Sequence, residues 1–249
     1  MNQEYTPMTL KREHREIFLA WAVITIAGVL VGIYVIPWLM PQPASNTMHL
    51  VIITMQTFTI AAAPVAGLVY AVAFYALHHW RHPGTDEPPP DGPPLRGNTW
   101  VAGVWLVTSA LLCTFLLVWG LAALAADDSG AASAKLTVDV TGQQWVWSFH
   151  YPGTEVSTPI LYLPEGKTVT FDVTSKDVVH GFWIVQMGIK VDANPGVITT
   201  TSTTPDKLGT FDLRCAELCG LNHAFMVTTV HVVTPAQFQT WLHSQPASV

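Results

Sequence analysis

Long uncharged segments alternate with polar ones over the first half of the chain. Three runs without a charged residue cover residues 17–40, 50–77 and 100–126. Each is long enough to cross a bilayer as a helix, which takes about 20 apolar residues. Pro64 lies in the middle of the second run, where proline is tolerated if neighbouring helices satisfy the freed carbonyl. The pattern predicts three transmembrane helices.

The first run has two open interpretations. It is either a secretory signal peptide cleaved near Ala44 or a helix that the mature protein retains. Its apolar stretch exceeds the usual signal-peptide core of about 7–15 residues. A retained helix is therefore favoured.

Basic residues are distributed unevenly around the three runs. The N-terminal tail and the loop between the second and third runs contain Lys11, Arg12, Arg15, Arg81 and Arg96, whereas residues 41–49 contain no lysine or arginine. The positive-inside rule places the tail and that loop in the cytoplasm. Three crossings then put the region after Ala126 outside the cytoplasm.

After residue 135 the pattern changes to short β-prone runs separated by turn residues. The predicted strands are residues 136–140, 144–151, 160–163, 168–173, 182–186, 197–202, 210–214 and 226–233. Strands at this spacing indicate a β-sandwich or barrel. Thr234 and Pro235 then begin a short helix, with Phe238 and Trp241 on one face.

The composition agrees with a protein that is partly in lipid. Half of the residues are hydrophobic and 11% are charged, against about 25% in a soluble domain. The net charge of -6 gives no reason to expect a nucleic acid as partner. Cys113 lies in the third apolar run and is interpreted as a packing residue. His78, His79 and His82 stand at a helix end beside Trp80, as in a membrane interface.

One segment of the β-prone region carries specific chemistry. Two cysteines, a histidine and a methionine follow one another at steps of four, four and three residues: Cys215, Cys219, His223 and Met226. Thiolate, imidazole and thioether form the soft ligand set that copper prefers. A mononuclear blue-copper loop needs only one cysteine, whereas a second one allows two thiolates to bridge two copper ions. One ligand is then missing, and a histidine upstream could supply it.

Three other interpretations compete with copper. Cys215 and Cys219 could form a disulfide, because their domain is predicted to lie outside the cytoplasm. They could also bind zinc, but methionine is a poor zinc ligand. The four residues could instead form one face of a helix, although Gly220 and the surrounding strand pattern argue against it. All four side chains occurring together favour copper.

The segment resembles the dinuclear copper (CuA) loop of cytochrome c oxidase subunit II, Cys-x-Glu-x-Cys-x3-His-x2-Met, at every ligand position. Residues 177–183, which include His180, look like the region of the family's first histidine ligand. Residues 142–149 and 191–196 are similar to its aromatic strand and to the stretch between its two ligand regions. The resemblance covers residues 50–235.

The resemblance implies a fold class of membrane α-helices followed by an all-β domain. Residues 1–126 are expected to form the membrane anchor. Residues 127–249 are expected to form an extracytoplasmic, cupredoxin-like Greek-key β-barrel with a short C-terminal helix. Because the family commonly has two helices in the anchor, the first run looks like an addition to its pattern or a retained signal-like anchor.

The resemblance also implies a set of copper ligands. Two thiolates bridge both ions, each imidazole binds one ion, and a thioether and a backbone carbonyl bind weakly. The implied ligands are His180, Cys215, the Glu217 carbonyl, Cys219, His223 and Met226. His180 is expected in a loop far from the others in sequence. The Glu217 side chain is implied to help hold a magnesium ion at the boundary with subunit I.

Two tryptophans near the predicted site have an expected role in electron transfer. Trp145 and Trp147 alternate with Val146, which predicts both on one face of a strand. The resemblance implies that electrons reach the copper through Trp145. Trp147 is the second candidate, although packing in the core also explains it.

The implied function is electron input to a membrane haem-copper oxygen reductase. Electrons come from a soluble donor, a cytochrome c or a cupredoxin, and pass to haem in subunit I, where oxygen becomes water. Subunit I and subunit III are the implied partners, in a bioenergetic membrane of the prokaryotic cytoplasmic type. Two alternatives stay open: a CuA subunit of a nitric oxide reductase, and a non-catalytic membrane-anchored copper-binding protein.

Two features depart from the family pattern. Residues 95–99 contain no acidic residue, although family members carry one there that is implied in proton uptake. The segment around His180 looks closer to B-type oxidases, whereas the Glu217–Gly220 loop and the several helices look A-type. The subclass is left open.

Overall fold

The computed structural model describes residues 7–79, 97–131 and 136–245. The described parts of Met1–Leu39 and Thr54–Gly120 form one compact unit, and those of Met40–Ile53 and Leu121–Val249 form a second. The proline-rich loop that the sequence predicts, with Arg81, His82 and Arg96, lies outside the described residues.

Three long helices dominate the first half of the described chain. Helix α1 extends over Pro7–Leu30 and continues through a π-helical turn, Val31–Val35, into α2, Ile36–Leu39. Helix α3 covers Asn46–His79 and α4 covers Thr99–Ala131. The segments long and apolar enough to cross a membrane are Lys11–Leu39, Asn46–His79 and Thr99–Ala126. The prediction of three helices that are able to span a membrane is confirmed.

Within the first unit, α1 and α3 pack closely through small residues. A Cβ atom on Gly28 would lie 2.9 Å from the Ala63 Cβ, and one on Gly67 would lie 2.6 Å from the Thr25 hydroxyl. Close backbone approach of this kind is typical of helix pairs in membranes. The indole N–H of Trp21 donates to the Pro64 carbonyl oxygen at 2.8 Å, and α3 continues through this proline.

The second unit contains the predicted β domain. Its strands are β1 Leu136–Gln143, β2 Val146–His150, β3 Ser157–Thr158, β4 Leu161–Pro164, β5 Val169–Ser175, β6 His180–Ile184, β7 Ile189–Ala193, β8 Thr199–Thr203, β9 Gly209–Cys215 and β10 Val227–Val233. The sequence missed β3 and β7. It also placed His180 in a loop, which is wrong, because this residue begins β6 and pairs with Ala193 of β7.

The strands form two five-stranded sheets, ordered β3-β2-β1-β5-β8 and β4-β10-β9-β6-β7. Inward residues alternate with outward ones, most regularly in β5, where Val169, Phe171 and Val173 are fully buried. This alternation buries one face of each sheet. The expected class of membrane helices followed by an all-β domain is confirmed, with the β domain built as a sandwich of two sheets.

The C-terminal helix closes one side of the sandwich. Helix α5, Pro235–Ser244, begins with a capping box in which the Thr234 hydroxyl accepts from the Gln237 N–H. Phe238 is buried, and the Trp241 ring stacks on Tyr162 of β4 with centroids 4.2 Å apart. The sequence predicted this helix and its apolar face.

A short segment before α3 is joined to the β domain within the second unit. Ala44 and Ser45 are fully buried. The Ala44 N–H donates to the Gln186 carbonyl and its carbonyl accepts from the Asp206 N–H. A chain cut near Ala44, the first of the two interpretations above, would lose these contacts.

Candidate metal centre

The predicted copper loop is closed at its base by the hairpin of β9 and β10. Cys215 is the last residue of β9, and Met226 immediately precedes β10. The Cys215 N–H donates to the Met226 carbonyl at 3.0 Å, so the loop starts and ends at one point. A 3₁₀ turn, His223–Phe225, directs His223 back toward this base.

Both cysteines of the loop are free thiols and both are buried. Their Sγ atoms are 3.7 Å apart, far beyond the bond length of about 2 Å in a disulfide. The Cys215 Sγ also lies 3.3 Å from the Glu217 carbonyl oxygen. The structure therefore shows two separate sulfur atoms side by side, with a carbonyl oxygen next to one of them.

The remaining predicted ligands surround this pair of sulfurs. The Nδ1 atom of His180 is 3.9 Å from the Cys215 Sγ. The Nδ1 atom of His223 and the Sδ atom of Met226 are 3.6 Å and 3.8 Å from the Cys219 Sγ. Each thiol thus has one imidazole beside it, as a pair of bridged metal ions requires.

These spacings suit metal binding. Two atoms that bind one metal ion at about 2.0–2.3 Å with tetrahedral angles lie roughly 3.3–3.8 Å apart. The ligand atoms of His180, Cys215 and Cys219 all lie within 4.8 Å of one another. Because the set combines thiolate, imidazole and thioether, its chemistry fits copper better than zinc or magnesium.

Asp177 fixes the orientation of the His180 ring. The His180 Nε2 atom is 2.9 Å from the Asp177 Oδ1, and since a carboxylate only accepts, Nε2 carries the hydrogen. The lone pair of Nδ1 then faces the Cys215 sulfur. A carboxylate on the outer nitrogen of a metal-binding histidine is a common device for setting its tautomer.

The protonation of Asp177 is set by competing effects. Burial raises the pKa of this carboxyl. Hydrogen bonds from the Gln144 N–H, the His180 ring and the Val178 N–H outweigh burial and lower the pKa to about 2. Asp177 is therefore an anion at neutral pH, and it is available as an acceptor for His180.

The Cys219 thiol holds its proton in the metal-free chain. Burial, and after it the neighbouring Cys215, together raise its pKa to about 11. A metal ion has to displace this proton, because the thiolate is the binding form. Burial makes an unpaired thiolate unfavourable. A bound cation neutralises the charge of the thiolate and so removes this cost.

The backbone carbonyl and the side-chain carboxylate of Glu217 contact different residues. Its carbonyl oxygen faces the Cys215 sulfur, whereas its carboxylate pairs with the Lys190 Nζ at 3.5 Å. This carboxylate is 42% exposed. The carbonyl and the carboxylate of this residue therefore have separate partners.

The two predicted tryptophans differ in position. Trp147 is buried, with its ring edge-on to His180 and Phe182 at 5.9 Å and 5.7 Å. Trp145 precedes β2 and is half-buried, and its ring lies next to Gly220 of the copper loop. The two side chains are therefore not equivalent positions on one strand face, because only Trp147 belongs to β2.

Other histidines of the described chain lie apart from the site. The Nδ1 atom of His78 is 2.8 Å from the Phe74 carbonyl oxygen, and the His79 ring stacks on Tyr75 of the same helix. In the β domain, His231 stacks on Tyr162, and His150 lies 3.3 Å from the Ser157 hydroxyl. These contacts agree with the interpretation that they are not copper ligands.

Comparison with known proteins points to one family. The family model described as the periplasmic domain of cytochrome c oxidase subunit II matches residues 154–233. The chain is 42% identical to cytochrome c oxidase subunit 2 of Thermostichus vulcanus over 49% of this chain and 37% of that one. It is 28% identical to a probable subunit 2 of Streptomyces avermitilis, over 82% of this chain and 77% of that one.

A solved structure is similar to the β domain. It is the periplasmic domain of subunit II of the cytochrome oxidase of Bradyrhizobium japonicum, 33% identical, with a TM-score of 0.42. The match covers 45% of this chain and 93% of that one.

Proposed function

Because the chain belongs to the cytochrome c oxidase subunit II family, we propose that it is the electron-accepting subunit of a haem-copper oxygen reductase. Single electrons pass from a soluble cytochrome c or cupredoxin, through this subunit, to haem in subunit I, where oxygen is reduced to water. The observation that carries the proposal is the convergence of two free thiols and two imidazoles in one site, in which both thiols and His180 are buried.

The proposed copper ligands are His180, Cys215, the Glu217 carbonyl, Cys219, His223 and Met226. When bound, the two copper ions share one unpaired electron, so that each metal–ligand bond changes little between the redox states. The protein holds its ligands on two strand ends and a closed loop, and Met226 is fully buried. Such a frame limits ligand movement and keeps water away from the thiolates.

The surface of the copper loop supports the proposed contact with subunit I. Leu218, Leu221 and Phe225 are 85%, 91% and 78% exposed. Large apolar side chains grouped at the rim of a site are typical of a protein interface. Subunit III is proposed on the family relationship alone.

The proposed location is a bioenergetic membrane of the prokaryotic cytoplasmic type, with the copper domain outside. It rests on the three apolar helices, which can each cross a bilayer, and on the basic residues of the N-terminal tail and the second loop. The retained first helix is part of this proposal. In this topology a soluble donor reaches the copper domain from the periplasm.

A magnesium ion at the boundary with subunit I is proposed for the Glu217 carboxylate. The carboxylate is a hard oxygen ligand, which suits magnesium, and it is 42% exposed. Its present partner is Lys190, which would have to move aside. Subunit I would supply the other ligands.

Electron paramagnetic resonance on the full chain, loaded with copper in detergent, tests the metal centre. We expect hyperfine splitting from one electron shared equally by two copper nuclei. Cys215→Ser and Cys219→Ser should each abolish that spectrum, because each removes one bridging thiolate. Cys113→Ser, which changes an exposed cysteine of α4, is the matched control and should leave it unchanged.

A single-copper spectrum from the unaltered chain would contradict the proposal and support a copper-binding protein without electron transfer. Assays of gas consumption by the purified complex then distinguish an oxygen reductase from a nitric oxide reductase. Oxygen consumption with the donor supports the oxygen reductase, whereas nitric oxide consumption without oxygen consumption supports the reductase of nitric oxide. Trp145→Ala should slow turnover with the donor in either case.

A further inference from the structure

Gln144, in the turn between β1 and β2, links parts of the site that are distant in sequence. Its side-chain Nε2 donates to the Cys219 carbonyl at 2.8 Å. Its backbone N–H donates to the Asp177 Oδ2 at 2.7 Å. Gln144 is not among the proposed copper ligands, yet it contacts the neighbour of one ligand and the main chain of another.

The two hydrogen bonds of Gln144 connect the His180 side of the metal centre to the Cys219 side. Asp177 Oδ1 accepts from the His180 ring, Asp177 Oδ2 accepts from the Gln144 N–H, and the Gln144 amide donates to Cys219. His180 on β6 and Cys219 in the copper loop are therefore joined through the β1–β2 turn. Hydrogen bonds of this outer kind hold metal ligands in place.

The same turn carries Trp145. A Cβ atom on Gly220 would lie 3.0 Å from the Gln144 Nε2 and 3.4 Å from the Trp145 ring. Both side chains therefore pack on the residue that follows Cys219. Gly220 has φ of +121°, a conformation that favours glycine, and with no side chain there the indole ring can lie close to the loop.

We propose that Gln144 is a positioning residue for electron input, a role that rests on the proposed function. Its hydrogen bond to Cys219 fixes the distance between the Trp145 ring and the bridging thiolates. In the electron-input step, the donor loses one electron and the copper pair gains that electron. No bond is made or broken, and no proton moves. Because electron transfer slows steeply with distance, a small displacement of this turn is sufficient to slow the step.

The test compares two neighbouring glutamines in the full chain. Gln144→Leu keeps the size of the side chain but removes the donor to Cys219. Gln143→Leu makes the same change one residue earlier, where the side chain is exposed and has no hydrogen bond within the described residues. Gln144→Glu is a second variant, which keeps the shape and replaces the donor with an acceptor.

Electron input is measured with tris(bipyridine)ruthenium(II), which reduces the copper after a laser flash. We expect Gln144→Leu and Gln144→Glu to slow the reduction about tenfold or more, as for a misplaced reacting group. Gln143→Leu should react at the rate of the unaltered chain, and Trp145→Phe should be slow. The copper spectrum should keep its shared splitting in all four variants.

Amide hydrogen exchange on the metal-free full chain gives a second readout. Peptides that cover residues 143–147 should exchange roughly five- to tenfold faster in Gln144→Leu, because one hydrogen bond that holds the turn is lost. Peptides from β5 should not change. Gln143→Leu should match the unaltered chain throughout.

The inference is overturned if both Gln144 variants accept electrons at the unaltered rate, if Gln143→Leu is slowed equally, or if Trp145→Phe is not slowed. Those results leave the proposed function standing, since the shared-copper spectrum of the unaltered chain tests that separately. A single-copper spectrum from the unaltered chain would instead contradict the proposed function. In that case the amide exchange still tests the position of the turn: unchanged exchange of residues 143–147 in Gln144→Leu would show that Gln144 does not hold it.

Discussion

At the scale of single residues, two glycines allow close packing around the candidate metal centre, one beside His180 and one beside Ala216. A Cβ atom on Gly142 would lie 2.9 Å from the His180 Cδ2 atom. A Cβ atom on Gly181 would lie 2.9 Å from the backbone of Ala216, whose N–H donates to the Gly181 carbonyl. Because Gly181 has no side chain, the strand that begins with His180 can approach the loop that begins after Cys215.

Gly181→Ala should therefore open the metal centre. The added methyl meets backbone atoms that cannot rotate away, so the loop has to shift, at about 1–3 kcal/mol of unfolding free energy. We expect a lower urea midpoint and less copper retained after gel filtration. Gly103→Ala is the control, because a Cβ atom there has nothing within 4 Å. Equal copper retention in both variants would mean that the close approach at Gly181 is not required.

The candidate ligands were easier to predict from the sequence than the residues that support them. Cys215, Cys219, His223 and Met226 could be predicted because they share one short motif with a distinctive chemistry. Gln144 and Gly181 act across the fold, on residues far away in the chain, and nothing near them in sequence indicates a partner. Asp177 had a local signal, since it stands three residues before His180, and a carboxylate there can reach the outer ring nitrogen.

At the scale of elements, Ser45 joins the start of α3 to the β domain. Its hydroxyl accepts from the Met48 N–H, which caps the helix, and donates to the Met187 carbonyl at 2.8 Å. Asn46 adds a contact through its side-chain oxygen, which accepts from the Thr204 N–H at 2.9 Å. The first turn of the helix and two loops of the sandwich are thus held by a few side chains.

Ser45→Ala removes the cap and the bond to Met187 together. Loss of a serine cap costs about 0.5–2 kcal/mol, and the Met187 carbonyl is left without that donor. We expect a lower urea midpoint for the β domain and faster amide exchange in residues 44–49. Ser148→Ala, an exposed position on β2, provides the comparison. Equal midpoints for the two variants would show that the junction does not stabilise the domain.

The pattern of apolar residues predicted most elements but not these connections. The alternation of apolar and polar residues along β5 indicates a strand with one buried face, and the uncharged runs indicate helices that lie in lipid. Ala44 and Asn46 bond to the β domain through backbone groups, which leave no periodic signal. Strand β7 was missed because it lies at the edge of its sheet, where Lys190 and Asp192 face outward and weaken the apolar pattern.

At the scale of the molecule, the metal centre would tie together parts of the β domain that the chain separates. His180 begins β6, and it lies 35 residues before Cys215 at the end of β9. The paired register, with Phe182 opposite Cys215, brings them together only when the second sheet is complete. The site is therefore assembled by folding, and metal bound there stabilises the folded state alone.

Removal of copper should accordingly destabilise the β domain. A ligand at 100 times its dissociation constant adds about 2.7 kcal/mol to the free energy of unfolding, provided that it binds only the folded chain. We expect the anaerobically loaded full chain to melt several degrees higher than the same chain after chelation, by near-ultraviolet circular dichroism. The difference should vanish in Cys219→Ser and persist in Cys113→Ser. If the loaded and the chelated chains melt together, or if Cys219→Ser keeps the difference, copper is not held at the assembled site.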